Sequence, residues 1–119
     1  MFTVFTVKQS AFFVSKILKK EGLEVGKNFL EYLKENHQGR ERAVSSSYLQ
    51  KRLSISSRTI RKIVNQLRND GVPICSDENG YYYAGDKDEV LNSIYQMTSR
   101  IREIARAKNG LVRSLNSFP

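Results

Sequence analysis

Between Tyr48 and Leu67 the apolar positions fall into two helical stripes: Tyr48, Leu49 and Leu53, then Ile60, Ile63, Val64 and Leu67, with Ser54-Ile55-Ser56 between them. Spacings of three and four put each set on one face of a helix. The pattern therefore predicts a short helix, a turn around a buried Ile55, and a second helix over about Arg58 to Asn69. Any of Ser45, Ser46 and Ser47 can cap the first helix, and Ser56 or Ser57 the second. Gly71 is placed to end the second helix in the left-handed conformation, and Pro73 prevents its continuation. Ile74-Cys75-Ser76 and Tyr81-Tyr82-Tyr83 then read as strands around Asp77-Glu78-Asn79-Gly80, in which Asn79-Gly80 is a hairpin-turn signal. Strand alternation buries either Tyr81 and Tyr83 together or Tyr82 alone.

The flanks carry weaker periodicity. Phe2 to Val7 alternates apolar residues with Thr and suggests an extended segment, and Ala11 to Lys20 a short helix turning Phe13, Ile17 and Leu18 inward. Gly22 and Gly26 interrupt any helix there, so a further helix is expected from about Val25 or Gly26 to His37, with Phe29, Leu30 and Leu33 on one face. After the hairpin, Asp86 is an N-cap, with Asp88 and Glu89 in the first turn of a long helix. Val90, Ile94, Met97, Ile101 and Ile104 step by four and three alternately, a heptad seam that suits dimerisation; packing back onto the preceding domain is the alternative. Asn109-Gly110 is expected to end this helix, giving it about 22 residues and roughly 33 Å.

Helix, tight turn, helix and hairpin in this order are the plan of a winged helix-turn-helix, whose second helix lies in the major groove of DNA. The expected fold is thus mainly α with a small β-hairpin (α+β): an N-terminal extension over 1–24, the winged helix-turn-helix over 25–85, the long C-terminal helix over 86–110 and a tail over 111–119. Opposite the apolar stripe of the second helix fall Arg58, Lys62, Asn65 and Asn69, flanked by Arg61 and Arg68 on one side and Thr59 and Gln66 on the other. Arg has donor geometry suited to guanine, and Asn or Gln to adenine. A solvated helix face is also charged but usually mixes Glu with Lys, whereas no acid lies between Arg42 and Asp70. The candidate contacts to double-stranded DNA are therefore Ser57, Arg58, Thr59, Arg61, Lys62, Asn65, Gln66 and Asn69, with Lys51 and Arg52 pointing from the preceding helix toward solvent or a phosphate backbone.

Composition agrees. The 119 residues make one domain with a modest core, and 20 Lys and Arg against 12 Asp and Glu give a net charge of +8 and a pI of about 9.8. Such a balance favours an acidic polymer, nucleic acid before an anionic membrane surface. The apolar run Ala11 to Val14 is too short for a signal-peptide core, and Lys8, Lys16, Lys19 and Lys20 break up any spanning segment, so a soluble protein without membrane association is expected. The lone Cys75 forms no internal disulfide, which fits a reducing, cytoplasmic setting, and its place between Ile74 and Ser76 in a candidate strand suggests a small buried hydrophobe. His37 has no second His or ligand cluster beside it and reads as a residue at a helix C-terminus. With no Gly-rich phosphate loop, paired ligand motif or apolar carboxylate pair, the expectation is a non-enzyme with no metal, cofactor or small-molecule substrate.

The run LQKRLSISSRTIRKIVNQLRNDGVPICSDENGYYYAG resembles the winged helix-turn-helix of the biotin-operon-repressor type, in which a Ser-Arg-containing recognition helix is followed by Leu-Arg, Gly, Pro-Ile and Gly-Tyr. It looks still more like small winged-helix proteins of phages and prophages of Gram-positive bacteria, which share IRKIVNQLR, GVPICSDENGYYYA and an ensuing long helix. The resemblance covers about half the chain well and implies a DNA-binding accessory protein, regulatory or replication-associated; the N-terminal forty residues do not share it. Asp77 and Glu78 depart from the Arg or Lys common at the wing tip of such binders, so this wing is not expected to clamp a phosphate. A second class of function is compatible with the same fold: a protein-interaction module that holds its partner through the long helix and the acidic wing.

Overall fold

Two serines and an aspartate decide where three of the helices begin. In a computed structural model describing residues 19–119, Ser45 Oγ accepts the backbone N–H of Tyr48 at 3.1 Å and starts a short helix over Ser46–Leu53. Ser56 Oγ accepts the N–H of Thr59 at 3.1 Å and starts the next helix, Ser57–Asn69. Asp86 Oδ1 accepts the N–H of Glu89 at 3.0 Å and starts the C-terminal helix, Lys87–Ser114. Each cap satisfies an amide that the helix itself leaves open. With the first described helix these elements are α1 (Lys19–Asn36), α2 (Ser46–Leu53), α3 (Ser57–Asn69), a hairpin of β1 (Ile74–Asp77) and β2 (Gly80–Tyr83), and α4 (Lys87–Ser114). The segment Phe2 to Val7, and the expected Ala11 to Lys20 helix up to Leu18, lie outside the described residues.

The turn between α2 and α3 is made by Ser54 in the left-handed conformation (φ 56°), with the Ile55 N–H on the Gln50 carbonyl at 3.1 Å. Ile55 is half-buried against the core rather than enclosed by it. At the far end of α3, Gly71 (φ +86°) donates to Arg68 O at 3.0 Å and Val72 to Leu67 O at 2.9 Å. These two bonds complete a left-handed helix stop with Val72 and Leu67 both buried beneath it.

Phe29, Leu30 and Leu33 of α1, Leu49 of α2, and Ile60, Ile63, Val64 and Leu67 of α3 meet in one core with Val44, Val72 and Ile74. The stripe on α3 is as the spacing predicts. Tyr48 departs from expectation: it is 51% exposed, and on α2 only Leu49 is fully enclosed.

The antiparallel hairpin pairs Ile74 with Tyr83, Cys75 with Tyr82, Ser76 with Tyr81 and Asp77 with Gly80. Alternation sends Ile74, Tyr81 and Tyr83 toward the main core, and Cys75 and Tyr82 into a second cluster with Ala84, Ala43 and Val90. Tyr82 is thus the tyrosine buried alone, and Cys75 is a buried free thiol. The outer edge of β2 is covered: Tyr81 and Val44 exchange two hydrogen bonds of 2.8 Å, and Tyr83 bonds to Gly39 and His37, also at 2.8 Å. His37 itself lies one residue past α1, its Nδ1 at 2.8 Å from Arg42 O.

Three expectations need correction. α1 runs through Gly22 and Gly26, so these glycines do not interrupt it, and it stops at Asn36. A glycine inside a helix costs only about 1 kcal/mol relative to Ala, which the apolar face of α1 offsets. α4 likewise passes through Asn109-Gly110 and extends for 28 residues, about 42 Å, before a 3-10 turn at Leu115–Ser117. Gly110 has no left-handed φ, and Leu111, Val112 and Arg113 carry the helix on. Asp77, expected at the acidic wing tip, has a side chain only 6% exposed; its Oδ1 accepts the Asn79 N–H at 2.8 Å and its Oδ2 lies 3.7 Å from Arg40 Nε. The loop residues between the paired Asp77 and Gly80 are Glu78 and Asn79, so Glu78 is the acid at the tip.

Glu89 fixes the start of α4 over the hairpin, since Oε1 accepts the Gly85 N–H at 2.7 Å and Oε2 the Arg40 N–H at 2.9 Å. From there α4 touches β1, and none of its residues is buried.

Candidate nucleic-acid interface

The cap at Ser56 and the stop at Gly71 hold α3 at both ends, and its buried stripe fixes its rotation. Arg58, Arg61, Lys62, Asn65 and Asn69 are consequently exposed. Four of them, Arg58, Arg61, Lys62 and Asn65, line one open groove of about 680 Å³, whose other walls are Arg68, Ser76 and Tyr81 by the hairpin and Arg100 from α4, with Val64 at its base. Five basic side chains and no carboxylate line it.

The other sequence-derived candidates are placed differently. Asn69 borders a second, largely apolar cleft of about 360 Å³ between the α3 stop, β1 and α4. The Thr59 hydroxyl is engaged by the cap, receiving the Ser56 Oγ–H at 3.0 Å, and Ser57 and Gln66 are half-buried. Lys51 is exposed on α2. The Arg52 guanidinium stacks over the Tyr32 ring, 5.3 Å from its centroid, in a cleft shared with Glu31 and Glu35 of α1. Arg52 thereby lies over Tyr32 of α1 and does not line the α3 groove.

Arg68 and Arg100 are groove cations that the sequence-derived contacts did not include. Arg68 reaches back to the hairpin, Nε donating to Ile74 O at 2.8 Å and Nη2 to Ser76 Oγ at 3.1 Å, and so braces α3 against β1. Burial lowers its pKa, with Arg100 adding to that effect and Cys75 and Tyr81 opposing it; a guanidinium remains charged regardless. The geometric signal for Arg68 was its place on the α3 flank. Arg100 had none, because the groove residues around it belong to other elements, far from it in sequence.

The spatial order matches the sequence comparison. Residues 27–82 match a family model described as an HTH domain. The order of helix, turn, helix and hairpin over these residues is that of a helix-turn-helix fold. The matched span runs from within α1 through the hairpin, so the HTH domain supplies most of the basic groove, with Arg100 contributed from beyond it. No curated protein and no solved structure matches the chain. Among the described residues no helix is long and apolar enough to cross a membrane, and no cluster of His, Cys, Asp and Glu is arranged to hold a metal ion.

Proposed function

We propose that this chain is a DNA-binding regulator that docks α3 in the major groove and acts as a homodimer. The observation that carries the first part is the acid-free face of α3 in an HTH domain: Arg58, Arg61, Lys62 and Asn65 stand together on an open groove with no carboxylate among its walls. Arg and Asn there have the donor and acceptor geometry to read base edges, and Lys62 and Arg61 the charge to hold phosphates. Ser57, Thr59, Gln66 and Asn69 border the same helix face, and Lys51 and Arg52 belong to the supporting helix.

Dimerisation is supported by α4. Ile94, Met97, Ile101 and Ile104 are 43–67% exposed and, with Val90, keep the heptad step along a helix that projects well past the hairpin. Two copies joined on this seam relate their α3 helices by a two-fold axis and favour an inverted-repeat site. The resemblance to small phage and prophage winged-helix proteins supports a role in regulation or replication in the cytoplasm.

The test is the triple substitution Arg58→Ala, Arg61→Ala and Lys62→Ala. Affinity for duplex DNA should fall by roughly 1–3 kcal/mol for each base contact removed, and the salt dependence should flatten by about one unit for each phosphate contact. Thermal unfolding should stay close to that of the parent, since all three side chains are exposed. Unchanged affinity and slope would overturn the assignment of α3.

A further inference from the structure

Arg100 stands on the fourth turn of α4, outside the matched HTH domain, yet it lines the same groove as Arg58, Arg61 and Lys62. Among the described residues no carboxylate or carbonyl pairs with it. Arg68, its cationic neighbour, is different: two of its nitrogens are spent on Ile74 O and Ser76 Oγ, so it is a fixed charge with little freedom to reach outward. An exposed guanidinium beside a fixed one, with no acid to offset either, is an arrangement that an anion relieves. A guanidinium also presents paired N–H donors that fit two oxygens of one phosphate.

We propose that Arg100 is a DNA-backbone contact, so that the C-terminal helix closes one wall of the binding groove over a phosphate. This rests on the assignment of α3 to DNA and extends it to a residue outside the HTH domain. Backbone contacts set register and orientation without reading bases. Arg100 therefore sets the angle at which α4 leaves the duplex and ties the dimer seam, whose Ile101 is the next residue, to the docked position of α3.

The experiment compares the full chain with its Arg100→Ala, Arg100→Lys and Arg106→Ala variants, measuring affinity for a short random-sequence duplex and for DNA from the chain's own genomic neighbourhood against salt. Arg106 is an exposed arginine of the same helix that does not line the groove. Arg100→Ala should flatten the log-log slope by about 0.9, so that the parent-to-variant affinity ratio shrinks about 3.5-fold between about 50 and 200 mM salt. The weakening should be equal on both DNAs, Arg100→Lys should restore the slope, and Arg106→Ala should run parallel to the parent. Sedimentation of Arg100→Ala should match the parent, separating a lost contact from a lost dimer. A steep parental slope that Arg100→Ala leaves unchanged would overturn this proposal while leaving the α3 assignment standing. A parent with no salt-dependent binding would overturn both.

Discussion

Three glycines separate the forces that shape this fold, because the same substitution should act on each by a different mechanism. At Gly80 (φ +128°) an alanine Cβ would land on the Val44 carbonyl and 2.8 Å from the Ser45 amide nitrogen, all backbone atoms. Backbone cannot swing aside as a side-chain tip can, so Val44 must move, and its two 2.8 Å hydrogen bonds with Tyr81 go with it. Losing those bonds costs about 1–3 kcal/mol, and forcing a non-glycine residue into that φ adds about 1–3 kcal/mol. Gly80→Ala should therefore destabilise by about 3 kcal/mol or more and lower Tm by at least about 10 °C. At Gly71 (φ +86°) nothing lies within 4 Å of the added Cβ, leaving only the conformational cost, about 1–2 kcal/mol. At Gly110 the backbone is helical and the nearest atom is the Arg113 guanidinium at 3.7 Å, so alanine should stabilise α4 by about 0.5–1 kcal/mol. Urea titration of the three variants beside the parent gives the order directly. A Gly80→Ala midpoint within about 0.5 kcal/mol of the parent, or a destabilised Gly110→Ala, would refute the reasoning.

Other consequences follow from single contacts. Glu78→Lys at the exposed wing tip should strengthen non-specific DNA binding without loss of stability, whereas Asp77→Lys should destabilise by about 2 kcal/mol or more, since it removes the acceptor of the Asn79 N–H and encloses an ammonium; equal stability of the two variants would contradict this. Replacing Ile101 and Ile104 with Asp should give a folded monomer: each is about two-thirds exposed in one chain, so a dimer gains about 1–2 kcal/mol per side chain and the pair of chains about 4–8 kcal/mol, and sedimentation should show a dissociation constant raised at least about a thousandfold. Concentration-independent monomer in the parent would remove the seam's role. Burial raises the Tyr82 pKa, so its contribution to stability is intact below the ordinary phenol value near 10 and is lost as pH rises above it through the raised value. Tyr82→Phe removes that titration and should make the alkaline fall in stability shallower, although Tyr32 and Tyr83, also raised by burial, keep part of it; identical slopes from pH 8 to 11 would argue against it.

What could be read from the sequence was set by local geometry. Ile60, Ile63, Val64 and Leu67 declare both the helix and its rotation, and that rotation places Arg58, Arg61, Lys62 and Asn65 without any knowledge of the rest of the chain. Ser45, Ser56, Asp86 and Gly71 act within four residues of themselves, so their roles were equally visible. The failures have two causes. Gly22, Gly26 and Gly110 are weak helix breakers, and a helix-length gain in bonding and packing overrides them. Asp77 and Arg100 were misplaced or missed because their surroundings come from distant parts of the chain: Arg40 for Asp77, and the α3 groove for Arg100. No periodicity carries that information. Thr59 and Gln66, on the flank of α3 away from Arg61 and Arg68, stand half-buried outside the groove.

The central claim is that the basic face of α3 neutralises DNA phosphates, and the salt dependence of binding by the unmodified chain tests it most directly. Affinity for duplex DNA should fall linearly on a log-log plot against salt, with a slope near −0.9 for each phosphate held. Arg61, Lys62 and Arg100 give a slope of about −2.7 per protomer, steeper where Arg58 also meets a phosphate. A slope near zero, or no binding to duplex DNA at low salt, would contradict the account and favour the reading in which α4 and the hairpin hold a protein partner instead.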